Sequence, residues 1–222
     1  MSVLNRIAYF QGRRDEVPNQ DLARRLARSK DRVGIREIAE NLHNTNRNVQ
    51  SDCLKVLYEI GYLDPRLIAG YADVFLDLLH SKNNRMVWGS MIALGTVSQL
   101  QARAIGERLG EVIEAIDAGS LITVVWGVKT LAGVVAGSRT HRARIIPVLV
   151  RQLKTCVPRD VPMHAQSILP AVDASNRGKI LAVLSSRLPE LTPAQATRLR
   201  KVLRQIEAGE GRPGGRRTSR AV

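Results

Sequence analysis

Apolar residues recur along this chain in a helical rhythm that itself repeats. Ile35, Ile38, Ala39 and Leu42 stand at i, i+3, i+4 and i+7, the spacing that lines one face of an α-helix. Shifted by 37 residues, the same slots hold Ala72, Phe75, Leu76 and Leu79; a further 37 gives Leu109, Val112, Ile113 and Ile116. The next 37 gives Ile146, Leu149, Val150 and Leu153, and a shift of 35 ends the series at Leu181, Leu184, Ser185 and Leu188. Self-similarity at a period of this size marks stacked supersecondary units, each hiding its apolar face against the next.

A second helix follows each of these. Its first copy is Val49, Cys53, Leu54, Val56, Leu57 and Ile60, and its second Met86, Ser90, Met91, Ala93, Leu94 and Val97. Further copies start at Thr123, Val161 and Gln195, the last running through Leu199, Val202, Leu203 and Ile206. Asn46, Asn83 and Ser120 fall 37 apart just before these helices and are predicted N-caps, since their side-chain oxygens accept orphan backbone N–H groups. Pro65, Pro158, Pro162 and Pro193 suit helix starts, and Pro147 is expected inside a first turn. Pro170 lies late in its helix and is expected to kink it.

With this period, the second-helix segments Leu57-Tyr58-x-Ile60 and Leu94-Gly95-x-Val97 resemble the HEAT-repeat family over roughly residues 31–207. The Arg that usually follows the opening Val of that helix is absent, with Gln50, Val87, Val124 and Pro162 in its place. The resemblance implies an all-α fold, an α-α superhelix of about five HEAT-like hairpins with an N-terminal helical cap. Residues 1–30 are the expected cap, 31–64, 65–100, 101–138, 139–174 and 175–207 the repeats, and 208–222 a disordered Gly/Arg-rich tail. It also implies that the second helices line a concave groove, with their non-core positions facing it.

Those positions include the only two tryptophans, Trp88 and Trp126, on neighbouring second helices. Helices pack about 8–10 Å apart, so the two indoles are expected to meet. Ile92, Val125 and Met163 extend them into an apolar patch, with Lys129, Arg198 and Lys201 beside it. Aromatic and Arg side chains are enriched at binding hot spots, so these eight residues are the candidate partner-binding set. The competing reading places Trp126 in the core, because the helix over 120–136 is apolar nearly all round.

Charge adds a second candidate. The chain of 222 residues carries a net +14, but residues 1–60 hold +3, 61–138 hold −1 and 139–222 hold +12. Such asymmetry points to an anionic partner. Arg142, Arg144, Arg151, Arg159, Arg200 and Arg204 are therefore candidate phosphate contacts, joined by Arg198 and Lys201. No Phe, Trp or Tyr occurs in 139–222, which favours a duplex backbone over stacked single strands. A coding bias is the alternative source, since Arg outnumbers Lys 27 to 7.

Catalytic and metal chemistry are not indicated. His43 and His80 stand one repeat apart, too far for a shared Zn of about 2 Å bonds, and Cys53 and Cys156 fall in different repeats. No Gly-rich phosphate loop or G-x-S-x-G elbow occurs, and no cofactor is expected. DNA glycosylases built of HEAT-like repeats hold DNA in a basic groove with tryptophans and a carboxylate. Ile92 and Thr130 stand where that carboxylate is needed, leaving only Asp52 and Asp173 as substitutes, so this is a remote variant. The stretch Leu121–Gly137 carries Lys129 and several glycines and reads as a buried helix, and the N-terminus lacks a signal-peptide layout. The resulting expectation is a cytoplasmic, non-catalytic scaffold for a protein or acidic peptide, the alternatives being a nucleic-acid binder and an oligomer paired through helix 120–136.

Overall fold

The computed structural model describes residues 2–209. They form twelve α-helices joined by short 3₁₀ turns, with no strand among the described residues. The chain divides into two compact units that part between Ser138 and Arg139.

In the first unit the helices are α1 (Val17–Ser29), α2 (Arg32–Glu40), α3 (Arg47–Leu63), α4 (Ala72–Asp77), α5 (Asn84–Val97), α6 (Ala102–Glu107), α7 (Leu109–Ala118) and α8 (Leu121–Gly137). α2 packs on α3, α4 on α5, and α6 and α7 on α8, giving three hairpins. The second helices form an inner row in which α1 lies against α3, α3 against α5, and α5 against α8. Their predicted core positions, from Val49 and Cys53 through Met91 and Leu94 to Leu131 and Val134, are all buried. This layering makes one continuous core out of hairpins that have none alone.

The local signals explain the starts. Asn46 accepts from the Asn48 N–H and Asn83 from the Arg85 N–H. Ser120 departs from expectation: its hydroxyl lies 3.1 Å from the Thr123 hydroxyl instead of accepting from a backbone N–H. Close approach along the inner row rests on glycine. A Cβ added to Gly95 would lie 2.6 Å from Cε3 of Trp126, so α8's indole reaches over α5 only because that side chain is missing.

The second unit contains α9 (Arg142–Thr155), α10 (Val161–Ile168), α11 (Arg177–Ser186) and α12 (Pro193–Ala208). α9 packs on α10 and α11 on α12; α10 also packs on α12, and α9 on α11. Pro147 sits one turn deeper than expected, inside α9, because the helix already starts at Arg142. Pro170 ends its helix instead of kinking it: α10 stops at Ile168 and tightens into a 3₁₀ turn over Leu169–Ala171. The fifth copy of the first-helix pattern is displaced by one residue. Ile180, Val183 and Leu184 are buried, with Arg187 in the slot assigned to Leu188, while Ser185 is exposed. Thr192 closes α12 with a capping box to Gln195. The expected tail over 208–222 lies, from residue 210 onward, outside the described residues.

α8 spends its apolar surface on α5, α6 and α7, leaving Leu121 and Ile122 in its first turn exposed. No described helix is long and apolar enough to cross a membrane.

Candidate binding site

The inner row of the first unit carries four connected aromatic rings. Trp88 on α5 lies 6.4 Å from Tyr58 on α3, Tyr58 lies 5.9 Å from Tyr62, and Tyr62 lies 5.6 Å from Trp126 on α8, all between ring centres. Separations of this size, tilted or edge-on, are those aromatic quadrupoles favour. The two indoles are thus linked through tyrosines of α3, where direct contact was expected. Tyr62 is 47% exposed, the two indoles are half-buried and Tyr58 is buried.

Two ammonium groups flank the rings. Lys129 Nζ lies 3.9 Å from the Trp126 ring centre, and Lys55 Nζ lies 4.8 Å from that of Tyr58. Burial opposes the charge of Lys55, but Glu16 at 2.7 Å and Glu59 at 2.8 Å overcome it and hold the ammonium above the ordinary lysine range. Lys129 has no carboxylate partner among the described residues, and burial holds it below that range. It is a desolvated cation held against a ring face, the geometry in which cation–π attraction is strongest.

Of the other expected contacts, Val125 is half-buried on α8. Ile92 is 6% exposed and belongs to the core of α5, so it does not extend the aromatic surface. Its position faces the packed side because the inner row is squeezed between hairpin partner and neighbour. Met163, Arg198 and Lys201 lie in the second unit, all exposed. His164, next to Met163, is 1% exposed with Nδ1 unpartnered, and burial lowers its pKa against the pull of Asp160. Sequence reasoning missed Tyr58, Tyr62 and Gly95. The tyrosines stand three and seven residues after Lys55, a position of α3 outside the apolar pattern, so one face of the helix carries all three.

The candidate phosphate contacts all lie in the second unit. Arg144, Arg159, Arg200 and Arg204 are exposed. Arg151 is exposed too. Arg142 is half-buried, 2.5 Å from Asp173 and 3.2 Å from the Ser175 hydroxyl, so its charge is engaged within the unit, and Arg159 lies 3.7 Å from Asp160.

The two substitute carboxylates and the Cys53 thiol are engaged within the fold. Both oxygens of Asp52 accept hydrogen bonds, from the Tyr9 N–H at 2.7 Å and the Asn19 amide at 2.9 Å, and Asp173 is held by Arg142. Burial and then the Asp52 charge push the Cys53 thiol up to about 12, which keeps it protonated and unreactive.

No family model matches the chain, and no curated protein matches it. Solved structures do. An engineered protein from a structural genomics programme matches with a TM-score of 0.66 and 18% identity, covering 94% of this chain and 98% of that one. A designed armadillo repeat protein in complex with the peptide (KR)4 matches with a TM-score of 0.61 and 13% identity, covering 83% and 86%. Computationally designed armadillo repeat proteins for modular peptide recognition match with a TM-score of 0.62 and 14% identity, covering 86% and 94%. These likenesses show the fold, an all-α superhelix of stacked helical hairpins.

Proposed function

We propose that the chain is a non-catalytic scaffold of HEAT-type hairpins, working in the cytoplasm, that holds a peptide or protein segment on the inner row of its first unit. The observation that carries this is the ladder Trp88–Tyr58–Tyr62–Trp126 with Lys129 on its end. Tyr62 and the two indoles reach solvent and are fixed by packing on rigid helices, so they supply contact area at small entropic cost. One designed neighbour of the same fold was solved with a peptide bound, which supports a peptide as the occupant. The test is a paired substitution, Tyr62→Ala with Trp88→Ala. Partner capture is expected to fall at least tenfold with the helical circular dichroism and melting temperature kept. Capture that survives in a folded double variant contradicts the reading.

A second reading rests on one feature of α12. Arg198, Arg200, Lys201 and Arg204 are exposed within two turns and have no carboxylate partner among the described residues. Such a face suits a duplex phosphate backbone, with Arg144, Arg151 and Arg159 as further contacts. Binding of duplex DNA would then fall steeply and log-linearly with salt, and Lys201→Ala with Arg204→Ala would flatten the slope by about two phosphates. No duplex binding at low salt overturns it.

A further inference from the structure

The N-terminal segment builds a pocket at one end of the ladder. Residues 9–16 are held against α3: Asp52 accepts from the Tyr9 N–H, the Tyr9 hydroxyl accepts from the Asn46 amide at 2.7 Å, and Glu16 pairs with Lys55. Between this segment and the starts of α3 and α5 lies a cavity of about 480 Å³, with Tyr9, Arg13, Arg14, Asn48, Asp52 and Arg85 on its walls. A smaller adjoining cavity shares Arg14 and Arg85 and continues to Tyr58 and Trp88.

Charges of both signs surround it, and they are unevenly paired. Asp52 accepts from two neutral donors, Arg13 is paired with Asp15 at 2.9 Å, and Lys55 sits between two glutamates. Arg14 and Arg85 have no carboxylate partner among the described residues. We infer that this pocket takes a carboxylate side chain, so that the segment held on the ladder is acidic as well as apolar. Arg85 and Trp88 are three residues apart on α5 and so share a face. An extended peptide brings side chains two residues apart to the same side, about 7 Å from each other. An acid on Arg14 and Arg85 thus places an apolar side chain on Trp88 in the pattern acid–x–apolar, and Lys129 offers a second cation at the far end of the rings.

This inference rests on the ladder being the peptide site, and the experiment separates the two. The peptide with three repeats of Glu-Ser-Leu-Ser is titrated against the fluorescence of the only two tryptophans, beside versions with Gln or Lys in place of Glu. The acidic peptide is expected to bind at least tenfold tighter than the Gln version, because charge-assisted hydrogen bonds outweigh neutral ones. In Arg14→Ala with Arg85→Ala, both exposed and without a carboxylate partner among the described residues, the ratio of Glu-peptide to Gln-peptide affinity is expected to fall to about one. Equal binding of the Glu and Gln peptides, tighter binding of the Lys peptide, or a preference that survives the double substitution overturns the acidic pocket and leaves the ladder standing. No fluorescence change with any of the three overturns both.

Discussion

Arg187 donates through Nη1 to the carbonyl oxygen of Leu153 at 2.7 Å, from 34 residues further along the chain. The two stand at equivalent positions of successive first helices, one apolar, the other charged. The same guanidinium donates to the carbonyls of Lys154 and Cys156, and Nε donates to Glu190 at 2.8 Å. It therefore satisfies orphan carbonyls at the end of α9, where a cation is also favoured by the helix dipole. Arg187 is 7% exposed, so water does not replace it if it is removed. Arg187→Met is expected to destabilise the second unit by about 3 kcal/mol, within the range for charge-assisted bonds left without a partner. Arg187→Lys is expected to recover only part, since one ammonium lacks the fork that reaches three carbonyls. Denaturant unfolding checks both.

Gly95→Ala sets helix propensity against packing. Ala in a helix interior gains about 1 kcal/mol over Gly. The added methyl, however, would lie 2.6 Å from Trp126 Cε3 and 3.1 Å from Cζ3, so the indole must move. Overpacking of this kind costs about 1–3 kcal/mol and wins. The expected result is a less stable protein whose tryptophan emission shifts and whose peptide affinity falls, because Trp126 leaves Tyr62 and Lys129. Unfolding and emission spectra measure this together.

Asp52→Asn tests what holds the N-terminal segment. The carboxylate accepts from both Tyr9 N–H and Asn19, and an amide offers only one acceptor oxygen. A loss of about 1–3 kcal/mol at the segment is expected, seen as faster tryptic cleavage at Arg13 and Arg14 with α3 and α5 still protected from hydrogen exchange.

His164 is expected to make the stability of the second unit depend on pH. Burial lowers its pKa from 6.5, with Asp160 opposing, so the folded state prefers the neutral ring. The unfolded chain then binds the proton more readily, and stability rises with pH across that interval. The contribution is complete above about 6.5 and is lost as pH falls below it. Unfolding midpoints at pH 5 and 7.5 are expected to differ in the intact protein, and to differ less in His164→Gln.

The repeat itself was legible because burial imposes it. Ile35, Phe75, Leu109 and Leu149 keep their slots because each hairpin must cover the next, and the same pressure fixes Val49, Met86 and Leu131 on the inner row. Legibility ended where polar geometry replaces packing. Arg187 occupies an apolar slot because three carbonyls need a donor, and hydrophobic periodicity then slides to Leu188 as the nearest apolar residue. Ile92 looked like groove because only half a turn, about two residues, separates the two sides of α5. The pocket beside the ladder was not legible at all, since residues 9–16 carry no helical period and are placed by Asp52, Asn46 and Lys55 from a distant helix.

The central claim, that the aromatic row of the first unit is where a partner lies, is tested most directly by the indole N–H resonances. Trp88 and Trp126 give two separate signals in a ¹H–¹⁵N spectrum, there being no other tryptophan. On titration with the acidic peptide both are expected to move, together with amides of α3 and α5, while those of α12 stay in place. If both indole signals remain fixed, or the shifts gather on α12, a partner does not bind on this row and the account is contradicted.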